Sequence, residues 1–155
     1  MKWHDDDFSI SDDSSDIDIP AVHRLLSGTY WAAARPQQRT EDGMRASVCF
    51  SLKHAAQQIG FARVITDGGC YAVVVDVVID SRFQRRGLGS WLMKVVSSHS
   101  RFEGMVLVLW TSDQVAFYQA CGLSEVADFH VMRRAPAWMG QKQNQSPEHN
   151  ALTRE

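Results

Sequence analysis

At 155 residues and 45% hydrophobic content, the chain suits a single domain with a real core. A net charge of −2 argues against a general nucleic-acid binder, and no apolar run approaches the roughly 20 residues that span a bilayer, so neither nucleic acid nor membrane is expected as a partner. Cys49, Cys70 and Cys121 are odd in number, far apart and set in apolar surroundings, which reads as buried thiols in a reducing compartment and excludes a disulfide frame or metal site.

The N-terminus is acidic where a signal peptide would be basic, so the expected location is the cytoplasm. Asp5, Asp6, Asp7, Asp12, Asp13, Asp16 and Asp18 crowd residues 1–18. Phe8-Ser9-Ile10 reads as a short edge strand, and the remainder as a solvated acidic arm. Pro20 opens a helix to about Ser27, with Val22, Leu25 and Leu26 as its apolar face and Gly28 as its end. Thr40 to Ala46 reads as a second short helix capped by Thr40.

Val48–Lys53 and Gly60–Ile65 read as strands, joined through His54 to Ile59 by more than a tight hairpin. Asp67-Gly68-Gly69 is a turn before the β-branched run from Cys70 to Ile79, a buried strand interrupted by one carboxylate, Asp76. Burying that group unpaired would cost several kcal/mol. Three readings stay open: a base, an anchor for a substrate ammonium, or a side chain satisfied structurally by a serine, tyrosine or backbone amide.

Gln84-Arg85-Arg86-Gly87-Leu88-Gly89-Ser90 follows, and then Leu88, Leu92, Val95, Val96 and His99 mark one face of a helix. The first amides of a helix lack partners within it and sit at the positive end of its dipole. Glycines at 87 and 89 let a bulky anion approach the backbone, and the arginines offer forked donors to phosphate oxygens. The loop therefore reads as a pyrophosphate cradle. Met105 to Trp110 reads as a strand parallel to the Cys70–Ile79 strand. A helix capped by Thr111, Ser112 or Asp113 then runs to Cys121 and stops at Gly122. Val126 to Met132 reads as a last strand.

The expected fold is α/β (α+β), a mixed and mostly antiparallel sheet with a central parallel strand pair and helices on both faces. It would form one domain over residues 1–134. Residues 135–155 read as a flexible tail in which Trp138 and Met139 dock. The six histidines show no metal-ligand spacing.

Gln84-x-x-Gly87-x-Gly89 after an apolar strand resembles the acetyl-CoA signature of the GNAT N-acetyltransferases, and Ala116-Phe117-Tyr118-Gln119-Ala120-Cys121-Gly122-Leu123 is similar to that family's closing motif. The resemblance covers about Gly60 to Arg133. It implies acetyl-CoA as co-substrate, with its pantetheine arm along Val77, Val78 and Ile79. Its pyrophosphate would rest on Gln84, Arg85, Arg86, Gly87, Leu88, Gly89 and Ser90. It further implies acetyl transfer to a small-molecule amine or an exposed amino group of a peptide, with Tyr118 as the acid that protonates the leaving thiolate. Otherwise Tyr118 is a half-buried core tyrosine. Tyr30, Trp31 and Arg35 would form a substrate wall, or the two aromatics simply pack on the sheet. The family's strand glutamate falls near Val73 here, so the base is Asp76 or a group acting through water. That departure also admits a non-catalytic acetyl-CoA or CoA sensor. Exposed sheet edges admit a homodimer.

Overall fold

The computed structural model describes residues 1–127 and 130–139. A six-stranded sheet in the order β1-β2-β3-β4-β5-β6 forms its centre. The strands are β1 (Lys2–Asp5), β2 (Phe8–Ser11), β3 (Val48–His54), β4 (Gln57–Thr66), β5 (Tyr71–Ile79) and β6 (Val106–Val108). The first five are antiparallel and β5–β6 is the parallel pair. Helices α1 (Ile19–Ser27) and α2 (Gln37–Arg45) lie between β2 and β3, α3 (Leu88–Ser97) joins β5 to β6, and α4 (Val115–Ala120) follows β6.

Alternation along β3 separates two cores. Phe50 and Leu52 point toward Leu92, Met93 and Val96 of α3, while Cys49 joins Val22 and Leu26 of α1 and Phe61 of β4. Each face of the sheet thus has its own helices. Asp18 caps α1 by accepting from the Ala21 amide at 3.0 Å, and Pro20 occupies its first turn.

The N-terminal stretch is where expectation and structure part. Phe8–Ser11 is not an edge: it pairs with β3 on one side and with β1 on the other. Asp5 ends β1 and the other acidic residues lie at the Asp6-Asp7 turn and beyond β2, while Trp3, Phe8 and Ile10 place apolar side chains against the main core. Asp6 takes φ 48°, which a two-residue hairpin turn requires and aspartate tolerates. His54 and Gln57 are paired, so β3 and β4 are linked by Ala55-Ala56 alone, with Ala55 at φ 49°. The expected longer link is a tight hairpin.

Other boundaries shift by local chemistry. Helix α2 starts after Pro36, and Thr40 is buried within it instead of capping it. The Met105–Trp110 strand shortens to Val106–Val108. Cys70 is exposed and Cys121 half-buried, so only Cys49 is the buried thiol expected, and burial pushes it up to about 11. The described part of Val126–Met132 forms no strand, with Val131 and Met132 exposed; positions 128 and 129 lie outside the described residues. Trp138 does dock, its ring 5.9 Å from the Arg35 guanidinium carbon. The tail from 140 onward lies outside the described residues.

Candidate active site

The sheet opens between β5 and β6. They pair only from Tyr71 with Val106 to Val73 with Val108, and β5 then continues to Ile79 with no strand on that side among the described residues. On its other side β5 pairs Val75 with Arg63 and Val78 with Phe61, so it carries one residue more than β4 between those pairs. This is a β-bulge, with Asp76 at φ 56°. A bulge bends its strand and increases its twist. Along this stretch of β5 lies a cavity of about 840 Å³, lined also from α1, the loop into α3 and α4.

Val77, Val78 and Ile79 form one wall of it, and the loop into α3 closes one end. Gln84 Nε2 donates to the Ile79 carbonyl at 3.0 Å, tying the loop to the strand end. Arg85 at φ 58° and Gly87 at φ 79° both take left-handed backbone, and both line the cavity. Gly87 is the N-cap of α3 and no side chain caps the helix, so its first amides are left to a ligand or water. A Cβ at Gly87 would meet nothing within 4 Å, whereas one at Gly89 would touch the Phe117 ring at 3.4 and 3.5 Å. Those are ordinary van der Waals distances, so alanine would fit at position 89 against the Phe117 ring.

Of the residues expected here, Val77, Val78, Ile79, Gln84, Arg85, Gly87, Gly89, Ser90, Tyr30, Trp31 and Tyr118 line this cavity together. Four do not. The Arg86 guanidinium carbon sits 5.2 Å from the Phe8 ring centre and 5.6 Å from that of Phe83, so its cation rests on aromatic faces. The Leu88 side chain is buried in the core, leaving only its backbone amide for the loop.

Asp76 and Arg35 bind each other. Arg35 Nη1 and Nη2 donate to the two Asp76 oxygens at 2.9 and 2.8 Å, and Arg63 Nε donates to Oδ2 at 2.9 Å. Arg63 also reaches Ser47 Oγ at 3.1 Å. Burial alone would push the Asp76 carboxyl up, but the Arg35 hydrogen bonds and the charge of both guanidiniums outweigh it and hold it below the usual 3.8. With its side chain 2% exposed and both oxygens occupied, Asp76 is closed to a substrate ammonium and poorly suited as a base. Of the three readings left open, the geometry corresponds to the structural one, but two arginines stand where a serine, tyrosine or backbone amide was expected.

Tyr118 faces the cavity from α4. Burial, then the charges of Cys121, Asp113 and Tyr30, push its phenol up to about 12. It therefore keeps its proton at neutral pH. Sequence reasoning missed Arg24, Arg82, Asp113, Gln114 and Phe117, which also line the cavity. Phe117 lies inside the closing motif and Arg82 two residues before Gln84, so both had a local signal; Arg24 arrives only through the packing of α1.

A family model described as an acetyltransferase (GNAT) domain matches residues 45–124. The fungal protein FG08082 of Gibberella zeae, which bears an acetyltransferase name, is 26% identical over 86% of this chain and 88% of its own length. The crystal structure of a GNAT-family protein from Xanthomonas campestris superposes with a TM-score of 0.79 at 30% identity, over 86% of this chain and 96% of that one. A GNAT-family acetyltransferase from Elizabethkingia anophelis, solved with acetyl-CoA bound, shares the fold at a TM-score of 0.60 and 19% identity, over 75% of each chain. The chain belongs to the GNAT acetyltransferases, enzymes whose acyl donor is acetyl-CoA.

Proposed function

We propose that this chain carries an acetyl group to a primary amine by direct attack on the thioester, within the cavity along β5. The observation that carries the reading is the divergence of β5 and β6 beyond Val73 and Val108, which sets Tyr118 and the uncapped start of α3 on one cavity. The lining fits the donor: an open concavity at Gly87, the side chains of Arg24 and Arg85, Arg82 held beside them by Asp80, and a strand edge with no partner strand among the described residues. Acetyl-CoA supplies a thioester carbonyl as electrophile and a sulfur as leaving group.

The amides from Arg85 to Ser90 hold the pyrophosphate, which suits a helix N-terminus. Backbone groups of Val77, Val78 and Ile79 pair with the pantetheine arm like an added strand. An amide near Val77 polarises the carbonyl. Tyr118 donates its proton to the sulfur as the carbon–sulfur bond breaks and the carbon–nitrogen bond forms. The surplus proton of the amine passes through solvent at the cavity mouth and restores the phenol. Tyr30 and Trp31 wall the acceptor side. Asp76 and Arg35 position the bulge and take no proton.

Thiol release from acetyl-CoA across a panel of amines, with the product read by mass shift, tests transfer. Tyr118→Phe should lower kcat by about a hundredfold, the usual scale for loss of a general acid. Calorimetry should show acetyl-CoA affinity retained. An unchanged kcat would remove Tyr118 from the mechanism.

A further inference from the structure

The acceptor side of the cavity contains a carboxylate that the transfer chemistry leaves unused. Asp113 lies in the loop entering α4, and Tyr30 in the loop leaving α1. The Tyr30 hydroxyl donates to Asp113 Oδ1 at 3.3 Å and is also hydrogen-bonded to Ser112 Oγ. Tyr30 and Trp31 stand edge to face, their ring centres 5.0 Å apart and their planes at 88°. Both rings, Asp113 and Tyr118 line the same cavity. Asp113 is near enough to Tyr118 for its charge to act on that phenol.

The charge in this cavity has a direction. Asp80, another carboxylate of the lining, is held by Arg82 at 3.0 and 2.7 Å, so Arg24 and Arg85 are left to suit the phosphates of the donor, and Asp113 supplies negative charge beside two aromatic rings. A carboxylate with adjacent ring faces is the chemistry that recognises an alkylammonium ion. Among the described residues Asp113 Oδ2 accepts a long hydrogen bond from its neighbour, Gln114 Nε2 at 3.4 Å, so the exposed carboxylate keeps acceptor capacity.

We propose, on the basis of the acetyl-transfer reading above, that Asp113 with Tyr30 and Trp31 binds a cationic group of the acceptor that is not the reacting nitrogen. The preferred acceptor is then a small aliphatic amine with a second positive centre. A carboxylate bonded to an ammonium stabilises its protonated form, and a protonated nitrogen has no lone pair with which to attack. The nitrogen held at Asp113 therefore stays charged while a neutral one, an alkyl chain away, meets the thioester near Tyr118.

The test compares cadaverine with n-pentylamine and 2-phenylethylamine, by titration into the CoA-saturated full chain and by acetylation rate. Cadaverine should bind about tenfold more tightly than pentylamine, the scale of one charge-assisted hydrogen bond, and show a matching kcat/KM advantage. Asp113→Asn should bring the ratio of the two affinities close to one, and Asp113→Glu should restore part of it. Equal affinities in the unaltered protein, a ratio that survives Asp113→Asn, or tightest binding of 2-phenylethylamine would overturn the proposal. Selective diamine binding without acetylation of any amine would leave the anchor standing and instead refute the transfer mechanism.

Discussion

Asp76 is a charged residue at φ 56° in the middle of an apolar strand, and its neighbours explain why it is tolerated. Three guanidinium hydrogen bonds at 2.8–2.9 Å satisfy both oxygens, and Arg63 extends the network to Ser47. Removing one partner from a buried pair leaves the others uncompensated, so Asp76→Asn should destabilise the fold by about 3 kcal/mol. Asparagine tolerates left-handed backbone much as aspartate does, so the substitution isolates the charge from the bulge. Urea unfolding followed by circular dichroism measures it; a loss under about 0.5 kcal/mol, the surface level, would show the clamp to be dispensable. The anomaly itself was legible in the sequence, because one carboxylate among β-branched residues demands a partner. The partners were not, since Arg35 lies 41 residues away and Arg63 lies 13 away.

At the scale of elements, β5, its loop and α3 form one local unit, and the site was readable there. The β-branched run, the glycines and the helical spacing all act over a few residues. Gly87, at φ 79°, allows the left-handed turn at the start of α3, where no side chain caps the helix. Gly87→Val should cost about 2 kcal/mol in backbone strain and weaken CoA binding at least about tenfold, since a branched residue resists positive φ. Thermal unfolding and calorimetry read the two effects separately. Undiminished CoA affinity would place the phosphates away from this loop. The bulge in β5 was not readable in the same way. One extra residue in a strand is visible only against the register of its partner, and that register depends on β4 pairing Phe61 with Val78 and Arg63 with Val75.

Across the whole molecule, carboxylates held low by native partners tie stability to pH. For Asp12, burial opposes ionisation, but hydrogen bonds from the N-terminal ammonium and His99 outweigh it. Asp76 behaves likewise. Because both folded-state values lie below the ordinary 3.8, their contribution is complete above that value and is lost as pH falls through the depressed one. The melting temperature should therefore fall steeply below about pH 4, and Asp76→Asn should flatten that acid limb while lowering the neutral plateau. An acid limb identical in the variant would mean that Asp76 is not part of it.

The chain alone encoded whatever depends on near neighbours: the strand–loop–helix cradle, the apolar faces of α1 and α3, the Asp67-Gly68-Gly69 turn and the tyrosine of α4. These follow from backbone propensity and from periodicity within a few turns. Folding in three dimensions added the rest. It drew the N-terminal hairpin into the sheet through Trp3 and Ile10, closed Asp76 between two distant arginines, set Arg86 on aromatic rings, and brought Tyr30 to Asp113 across 83 positions. Such pairings have no local signature, because a side chain's partner is chosen by which surfaces the packed sheet brings together.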